Sequence, residues 1–95
     1  MIIGRFKIQC QPERTEEIAA VIAAVEAPSR ELPGVIHFDI ARSLSDPNSF
    51  IAVEVFEDRE ALDRQNAQDV VAKLLEVIST GALIGDYEWT VWETQ

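Results

Sequence analysis

Two kinds of hydrophobic periodicity alternate along the chain, and their order restricts the fold to very few topologies. Apolar side chains recur at every second position in four runs, which is the period of a half-buried β-strand. Between the first and second runs, and again between the third and fourth, they recur every three or four residues, as on an amphipathic helix. The order β-α-β-β-α-β over residues 1–95 predicts a single ferredoxin-like α+β domain. In that fold a four-stranded antiparallel sheet carries two helices on one face.

Turn and capping residues set the expected limits of these elements. The first helix starts at Pro12 and kinks or ends at Pro28, while the second follows an N-cap at Asp58 and stops at Gly81. The strands are expected at residues 2–10, 34–42, 50–56 and 87–91. In this topology the second strand lies at an edge of the sheet.

Alternation also assigns the strand side chains to two faces. The set expected to meet the helices is Phe6, Ile8, Ile36, Phe38, Ile40, Ile51, Val53, Val55, Tyr87, Trp89 and Val91. The set expected on the opposite face is Ile3, Arg5, Lys7, His37, Asp39, Ala41, Phe50, Glu54, Phe56, Glu88 and Trp92. The second set is too aromatic for a face left to water and too charged for a core. We therefore expect it to bind a second copy in a homodimer, which would also shelter the sheet edges.

Charge and hydropathy exclude two classes of partner. Seventeen acidic against eight basic residues give a net charge of −9, which repels phosphate backbones and argues against nucleic-acid binding. The longest apolar run covers residues 18–25, far short of the roughly 20 residues that cross a bilayer. No basic segment followed by an apolar stretch stands at the N-terminus. We expect a cytoplasmic protein with no membrane contact.

Metal-ligating side chains are scarce. The chain has one cysteine and one histidine, so it offers no disulfide framework and no plausible zinc, haem-thiolate or iron–sulfur ligand set. We expect no metal and no cofactor.

Three segments carry a resemblance to a known family. They are PGVIHFDI at 33–40, DPNSFIAVEVFED at 46–58, and the pair Ala61-Leu62. Together they resemble the antibiotic-biosynthesis monooxygenase (ABM) domain, and the likeness covers nearly the whole chain. It implies a dimeric α+β barrel with a cavity between the helices and sheet of each subunit. It further implies cofactor-independent oxygenation, with O2, of a small aromatic, quinol or polyketide-like molecule.

The chain departs from the family pattern at three positions. Phe56 stands where the family typically has tryptophan, and Gln65 and Val70 stand where it often has histidine. A mechanism that uses those histidines cannot be carried over, nor can haem ligation. Because one scaffold hosts several chemistries, two alternatives stay open. One is an isomerase on the same scaffold, and the other is a non-catalytic ligand-binding or stress-related dimer.

Three residues are candidates for catalysis. Gln65 lies at helical spacing from Ala61 and Leu62, where it would donate to a substrate oxygen or simply pair with backbone. Glu54, in an apolar strand, would gain a raised pKa and act as a base, or else pair with a cation across the sheet. His37, beside Asp39, is either an acid–base group or a subunit-interface residue.

The candidates for substrate binding each have a structural alternative. Arg64 would stabilise an anion or remain solvated, and the other candidates would line a pocket or fill the core. These others are Phe38, Phe56, Leu62, Tyr87 and Trp89. Phe38, on the helix-facing side of its strand, is a better candidate than the adjacent His37 to contact a ligand.

Overall fold

One antiparallel sheet is formed by four strands, β1 (Ile2–Gln9), β2 (Val35–Arg42), β3 (Ser49–Phe56) and β4 (Glu88–Glu93). Across the sheet they stand in the order β2-β3-β1-β4. The structure, a computed structural model, describes residues 1–94. Along the chain the elements are β1 (Ile2–Gln9), a 3-10 turn (Pro12–Arg14), α1 (Thr15–Arg30), β2 (Val35–Arg42), β3 (Ser49–Phe56), α2 (Arg59–Asn66), α3 (Asp69–Ile78) and β4 (Glu88–Glu93). This arrangement confirms the ferredoxin-like α+β class. It also confirms that β2, which carries His37, is an edge strand.

The second predicted helix is in fact two helices. Asp58 caps α2 as predicted, because its Oδ1 atom accepts a hydrogen bond from the Ala61 N–H at 2.9 Å. The helix ends at Asn66, and Gln68 then adopts an extended backbone (φ −67°, ψ 142°) before α3 begins. Neither proline nor glycine marks this break, so residue type alone gives no local signal for it.

The face assignment of β3 was wrong. Phe50, Ala52, Glu54 and Phe56 face the helices. Ile51, Val53 and Val55 lie on the opposite side of the sheet, the open face, on which none of the helices packs. The cause is the register with β1, in which the four helix-facing residues pair with Ile8, Phe6, Gly4 and Ile2. Directly paired residues of antiparallel strands share a face, so β1 determines which half of the β3 alternation is buried.

One residue of β2 was also assigned to the wrong face. Ile36 is 53 % exposed, and Val35 packs against the core instead. A register shift between Val35 and His37 explains the difference, since a bulge changes the side to which the residues before it point. Phe38 and Ile40, beyond the bulge, face the helices as predicted.

Two apolar clusters hold the helices on the sheet. The larger one packs α1 and α3 on the sheet around Ile8, Ile18 and Val25. The smaller one packs α2 on the sheet and contains Ile2, Phe56, Ala61 and Leu62. Within residues 1–94, no helix combines the length and apolar character that crossing a bilayer requires.

Candidate functional site

A cavity of about 300 Å³ lies between the helices and the sheet. Most of its wall is apolar, and two buried polar side chains, Glu54 and Gln65, belong to it. The apolar and aromatic residues of the wall are Phe6, Val25, Phe38, Ile40, Ala52, Val71, Leu74, Leu75, Tyr87 and Trp89. A concave apolar site with a few convergent polar groups is the usual form of a small-molecule site.

Glu54 is an acid in unusual surroundings. Its side chain is only 6 % exposed, and no group within residues 1–94 donates a hydrogen bond to it or forms an ion pair with it. Burial disfavours the charged carboxylate and raises the pKa of Glu54 from 4.5 to about 7. The carboxyl group is therefore near the midpoint of its titration at neutral pH, where a general base works most efficiently.

Gln65 is held by a chain of hydrogen bonds that ends on α1. Its Oε1 atom accepts from Gln68 Nε2 at 2.8 Å, and the same nitrogen donates to Ser29 Oγ at 3.0 Å. Ser29 in turn donates to the Val25 carbonyl oxygen at 2.7 Å. The Gln65 side chain is 3 % exposed and lines the cavity, so a buried amide is fixed at its wall.

Three aromatic rings close the cavity on the β4 side. The Phe6 ring centroid lies 5.4 Å from that of Tyr87 and 6.4 Å from that of Trp89. Tyr87 and Trp89 are 49 % and 38 % exposed, so they stand at the rim while Phe6 lies deeper.

The cavity brings together five of the residues proposed from the sequence. They are Phe38, Glu54, Gln65, Tyr87 and Trp89. Their roles remain predictions. The placement of Glu54 excludes its alternative, an ion pair with a cation of the open face, because the carboxyl group points to the helices.

Four other candidates lie elsewhere. Phe56 and Leu62 are packed in the smaller apolar cluster, and Arg64 is exposed, where its Nη2 atom donates to the Pro33 carbonyl oxygen at 2.9 Å. His37 is exposed on the open face of the edge strand, opposite Val55. Its neighbour Asp39 forms a 3.3 Å ion pair with Arg30 instead.

Two residues that hold the site were missed from the sequence. Gln68 and Ser29 touch each other across 39 positions of chain, so no local pattern joins them. The spacing of Gln65 and Gln68 was the one available signal, because residues three apart would face each other on the single continuous helix expected from the sequence. In the structure Gln68 lies just beyond the end of α2. The cavity side of α3, with Val71, Leu74 and Leu75, was recognised only as an apolar helical stripe.

The described residues, 1–94, contain no group of three or more His, Cys, Asp or Glu side chains arranged to hold a metal ion.

Comparison with solved structures shows the same fold over nearly the full length of both chains. A crystal structure named antibiotic biosynthesis monooxygenase is 20 % identical, with 100 % of this chain and 99 % of that one covered and a TM-score of 0.89. A Nitrosomonas europaea protein provisionally given the same name is 16 % identical, with 99 % and 98 % covered and a TM-score of 0.90. Rv0793 from Mycobacterium tuberculosis is 17 % identical, with 99 % and 94 % covered and a TM-score of 0.89.

Comparison of sequences gives one relative and the family. An uncharacterized protein of Synechocystis sp. is 33 % identical over 63 residues, which are 66 % of this chain and 42 % of the relative. The chain thus spans less than half of that relative's length. The family model described as antibiotic biosynthesis monooxygenase matches residues 1–76. The chain therefore belongs to the antibiotic biosynthesis monooxygenase family.

Proposed function

We propose that the protein is a cofactor-independent monooxygenase that oxidises a small aromatic or quinol-like molecule with O2. The observation that carries the proposal is Glu54, a buried carboxyl that lines an apolar cavity, has no ion-pair partner within residues 1–94 and has a pKa of about 7. At about 300 Å³ the cavity is at the small end of ligand sites, which favours a substrate of one or two rings.

The first step is removal of a proton from a substrate hydroxyl. Glu54 in its carboxylate form accepts the proton, and the substrate becomes an electron-rich phenolate. The phenolate supplies electrons to O2, a C–O bond forms at the neighbouring ring carbon, and the O–O bond breaks. One oxygen atom stays in the product and the other leaves as water, with all four electrons coming from the substrate.

Gln65 supplies the second interaction that this chemistry requires. An amide N–H at the cavity wall stabilises negative charge on a substrate oxygen, and it does so best where water is excluded. The apolar residues around it, Phe38 and Leu74 among them, provide that exclusion. Gln65 cannot exchange a proton at neutral pH, so the acid–base role falls to Glu54.

Oxygen consumption with 1,4-dihydroxynaphthalene tests the proposal. The expected reaction gives 2-hydroxy-1,4-naphthoquinone and water, with one atom from labelled O2 in the product. It should proceed in the presence of a metal chelator and above the rate without protein. Glu54→Gln keeps the shape of the side chain and should lower kcat/KM about 100-fold, the usual contribution of a general base.

A matched control separates the role of the site from general damage. Glu57→Gln makes the same change on an exposed side chain three residues away and should leave the rate unchanged. Equal rates for wild type and Glu54→Gln would overturn the assignment of Glu54. Binding of the quinol without any turnover would support the ligand-binding alternative, and turnover of a substrate under nitrogen would support the isomerase.

We also infer that the open face of the sheet joins two copies in a homodimer. Apolar side chains form a connected patch there, because Ile3 pairs with both Val55 and Trp92 across adjacent strands. Val53 and Trp92 are 43 % and 48 % exposed. A contiguous apolar patch of this kind is unusual on a monomer and typical of an association surface.

A further inference from the structure

The hydrogen-bond chain behind Gln65 has a fixed direction. The Val25 carbonyl oxygen can only accept, so Ser29 must use its single hydroxyl proton to donate to that oxygen at 2.7 Å. Ser29 Oγ is then left as an acceptor, and the group that approaches it at 3.0 Å must be the NH2 of Gln68. One backbone atom therefore determines the orientation of the Gln68 amide.

The orientation of the Gln65 amide is fixed in the same way. The NH2 group of Gln68 has a second proton, which it donates to the Gln65 Oε1 atom at 2.8 Å, and the Gln65 carbonyl oxygen is a more distant acceptor at 3.4 Å. Turning the Gln65 amide over would bring two NH2 groups into contact and leave the second Gln68 proton only the 3.4 Å contact with the Gln65 carbonyl oxygen. Leaving buried donors unpaired is costly, so this alternative orientation is disfavoured.

The donor left at the end of this series of hydrogen bonds is the Gln65 Nε2 atom. No group within residues 1–94 accepts a hydrogen bond from it, although the side chain is 3 % exposed. Every side-chain nitrogen or oxygen that is fully sealed among these residues has a partner. The Nε2 atom consequently keeps some accessible surface, and the cavity is a space that the Gln65 side chain is known to line.

We propose that Ser29 and Gln68 are positioning residues that hold the Gln65 NH2 group toward the cavity, so that the site selects ligands with an acceptor oxygen at that wall. A carbonyl or phenolate oxygen satisfies the donor. An N–H or a hydrocarbon edge leaves it unpaired. The proposal rests on the proposed function only in taking this cavity as the ligand site, and it does not depend on turnover.

A pair of probes isolates this interaction. 1-Tetralone and tetralin have nearly the same size and differ in a single carbonyl oxygen. Their dissociation constants can be measured under nitrogen by NMR titration at pH 8.5, where Glu54 is mostly ionised and is not a donor. The two tryptophan indole N–H signals report the site, because Trp89 lines the cavity and Trp92 lies on the other face of the sheet.

The expected readout is the ratio of the two dissociation constants. Gln65→Met keeps the length of the side chain without its amide. It should weaken the binding of 1-tetralone relative to that of tetralin by roughly three- to tenfold, the net effect of one hydrogen bond. Gln68→Glu should shift the ratio at least as far, because a carboxylate can only accept and would draw the Gln65 NH2 group away from the cavity. Ser29→Ala should shift it less.

Control variants make the result specific. Gln9→Met removes a side-chain hydrogen bond to Asp46 at an exposed strand end, and Ser79→Ala removes one to the Glu76 carbonyl oxygen. Neither should change the ratio. A merely structural role for Gln68 would weaken both probes equally and leave the ratio unchanged, which would overturn the proposal.

The remaining outcomes separate this proposal from the proposed function. Perturbation of Trp92 alone, or binding of neither probe, would overturn the donor assignment, whereas oxygen consumption with 1,4-dihydroxynaphthalene decides the monooxygenase proposal separately. If the variants change the ratio of dissociation constants as expected but no oxygen is consumed with 1,4-dihydroxynaphthalene, the donor assignment stands and the monooxygenase proposal is rejected.

Discussion

The Trp89 indole lies directly over Gly4 of the neighbouring strand, so that a Cβ atom on Gly4 would be only 2.5 Å from Trp89 Cη2. Gly4 also pairs with Glu54 on its other side. The absence of a side chain at this position allows the aromatic ring to lie across β1 and to wall the cavity next to the buried carboxyl group. The cavity thus depends on a residue that does not itself line it.

Gly4→Ala should displace the indole ring and destabilise the fold by about 1–3 kcal/mol, the usual cost of overpacking. The Trp89 indole N–H signal should move and the Trp92 signal should stay. In a Trp89→Val background the same change should cost less, as a double-mutant cycle measured by urea unfolding would show. Equal costs in the two backgrounds would contradict the contact.

The stability of the protein should depend on pH through Glu54. Burial raises its pKa from 4.5 to about 7, so between these values the folded protein holds a proton that the unfolded chain releases. Stability should therefore fall as the pH rises through this window, by up to about 3 kcal/mol from this group. Urea unfolding of wild type and Glu54→Gln at pH 5 and pH 8 measures the difference.

Comparing Glu54→Gln with wild type at each pH cancels the contributions of other titrating groups to the free energy of unfolding. The free energy of unfolding of Glu54→Gln relative to wild type should be higher at pH 8 than at pH 5, whereas Glu57→Gln, at an exposed position, should show no such trend. A pH-independent difference for Glu54→Gln would mean that Glu54 titrates at its ordinary pKa.

Two glycines with the same backbone conformation should respond differently to alanine. Gly34 and Gly81 have φ of +84° and +80°, and both changes incur about 1 kcal/mol or more of backbone strain. A Cβ atom on Gly34 would also lie 2.7 Å from the Ala61 Cβ, whereas one on Gly81 meets nothing within 4 Å. Gly34→Ala should therefore cost about 1–3 kcal/mol more than Gly81→Ala in thermal or urea unfolding. Equal losses of stability in the two variants would show that α2 moves away from the added methyl group at no cost.

The order of elements was predictable from the sequence, but the buried side of β3 was not. Alternation divides a strand into two sets without saying which one faces the helices. In β3 the aliphatic set, Ile51, Val53 and Val55, looked more like a core than a set containing Glu54. The pairing of Gly4 with Glu54 decides the matter, and that contact joins residues fifty positions apart.

The site was predictable only in part, for the same reason. Glu54 and Gln65 were proposed individually from residue type and spacing. The contact of Gln68 with Ser29, which orients the Gln65 amide, depends on how α1 packs against the start of α3. Helix packing of this kind has no local sequence pattern.

The open face of the sheet gives a prediction about assembly. Val53→Asp puts a carboxylate on that face between Ile51 and Val55 of the same strand, with Asp39 and Arg5 as its cross-strand partners. Burying this added charge between two copies is unfavourable, so the change should convert a dimer into monomers at micromolar concentration. Leu44→Asp makes a similar change on a fully exposed loop residue and should leave the sedimentation coefficient unchanged. A wild-type protein that sediments as a monomer at these concentrations would refute the dimer.

The most direct test of the central claim, that Glu54 is the base of an oxygenase site, is the pH dependence of oxygen consumption. With 1,4-dihydroxynaphthalene, and after subtraction of the rate without protein, kcat/KM should rise with pH through a pKa near 7 and then level off. Glu54→Gln should have a low rate that lacks this rise, while Glu57→Gln should follow wild type. A rise near pH 7 that persists unchanged in Glu54→Gln would contradict the account.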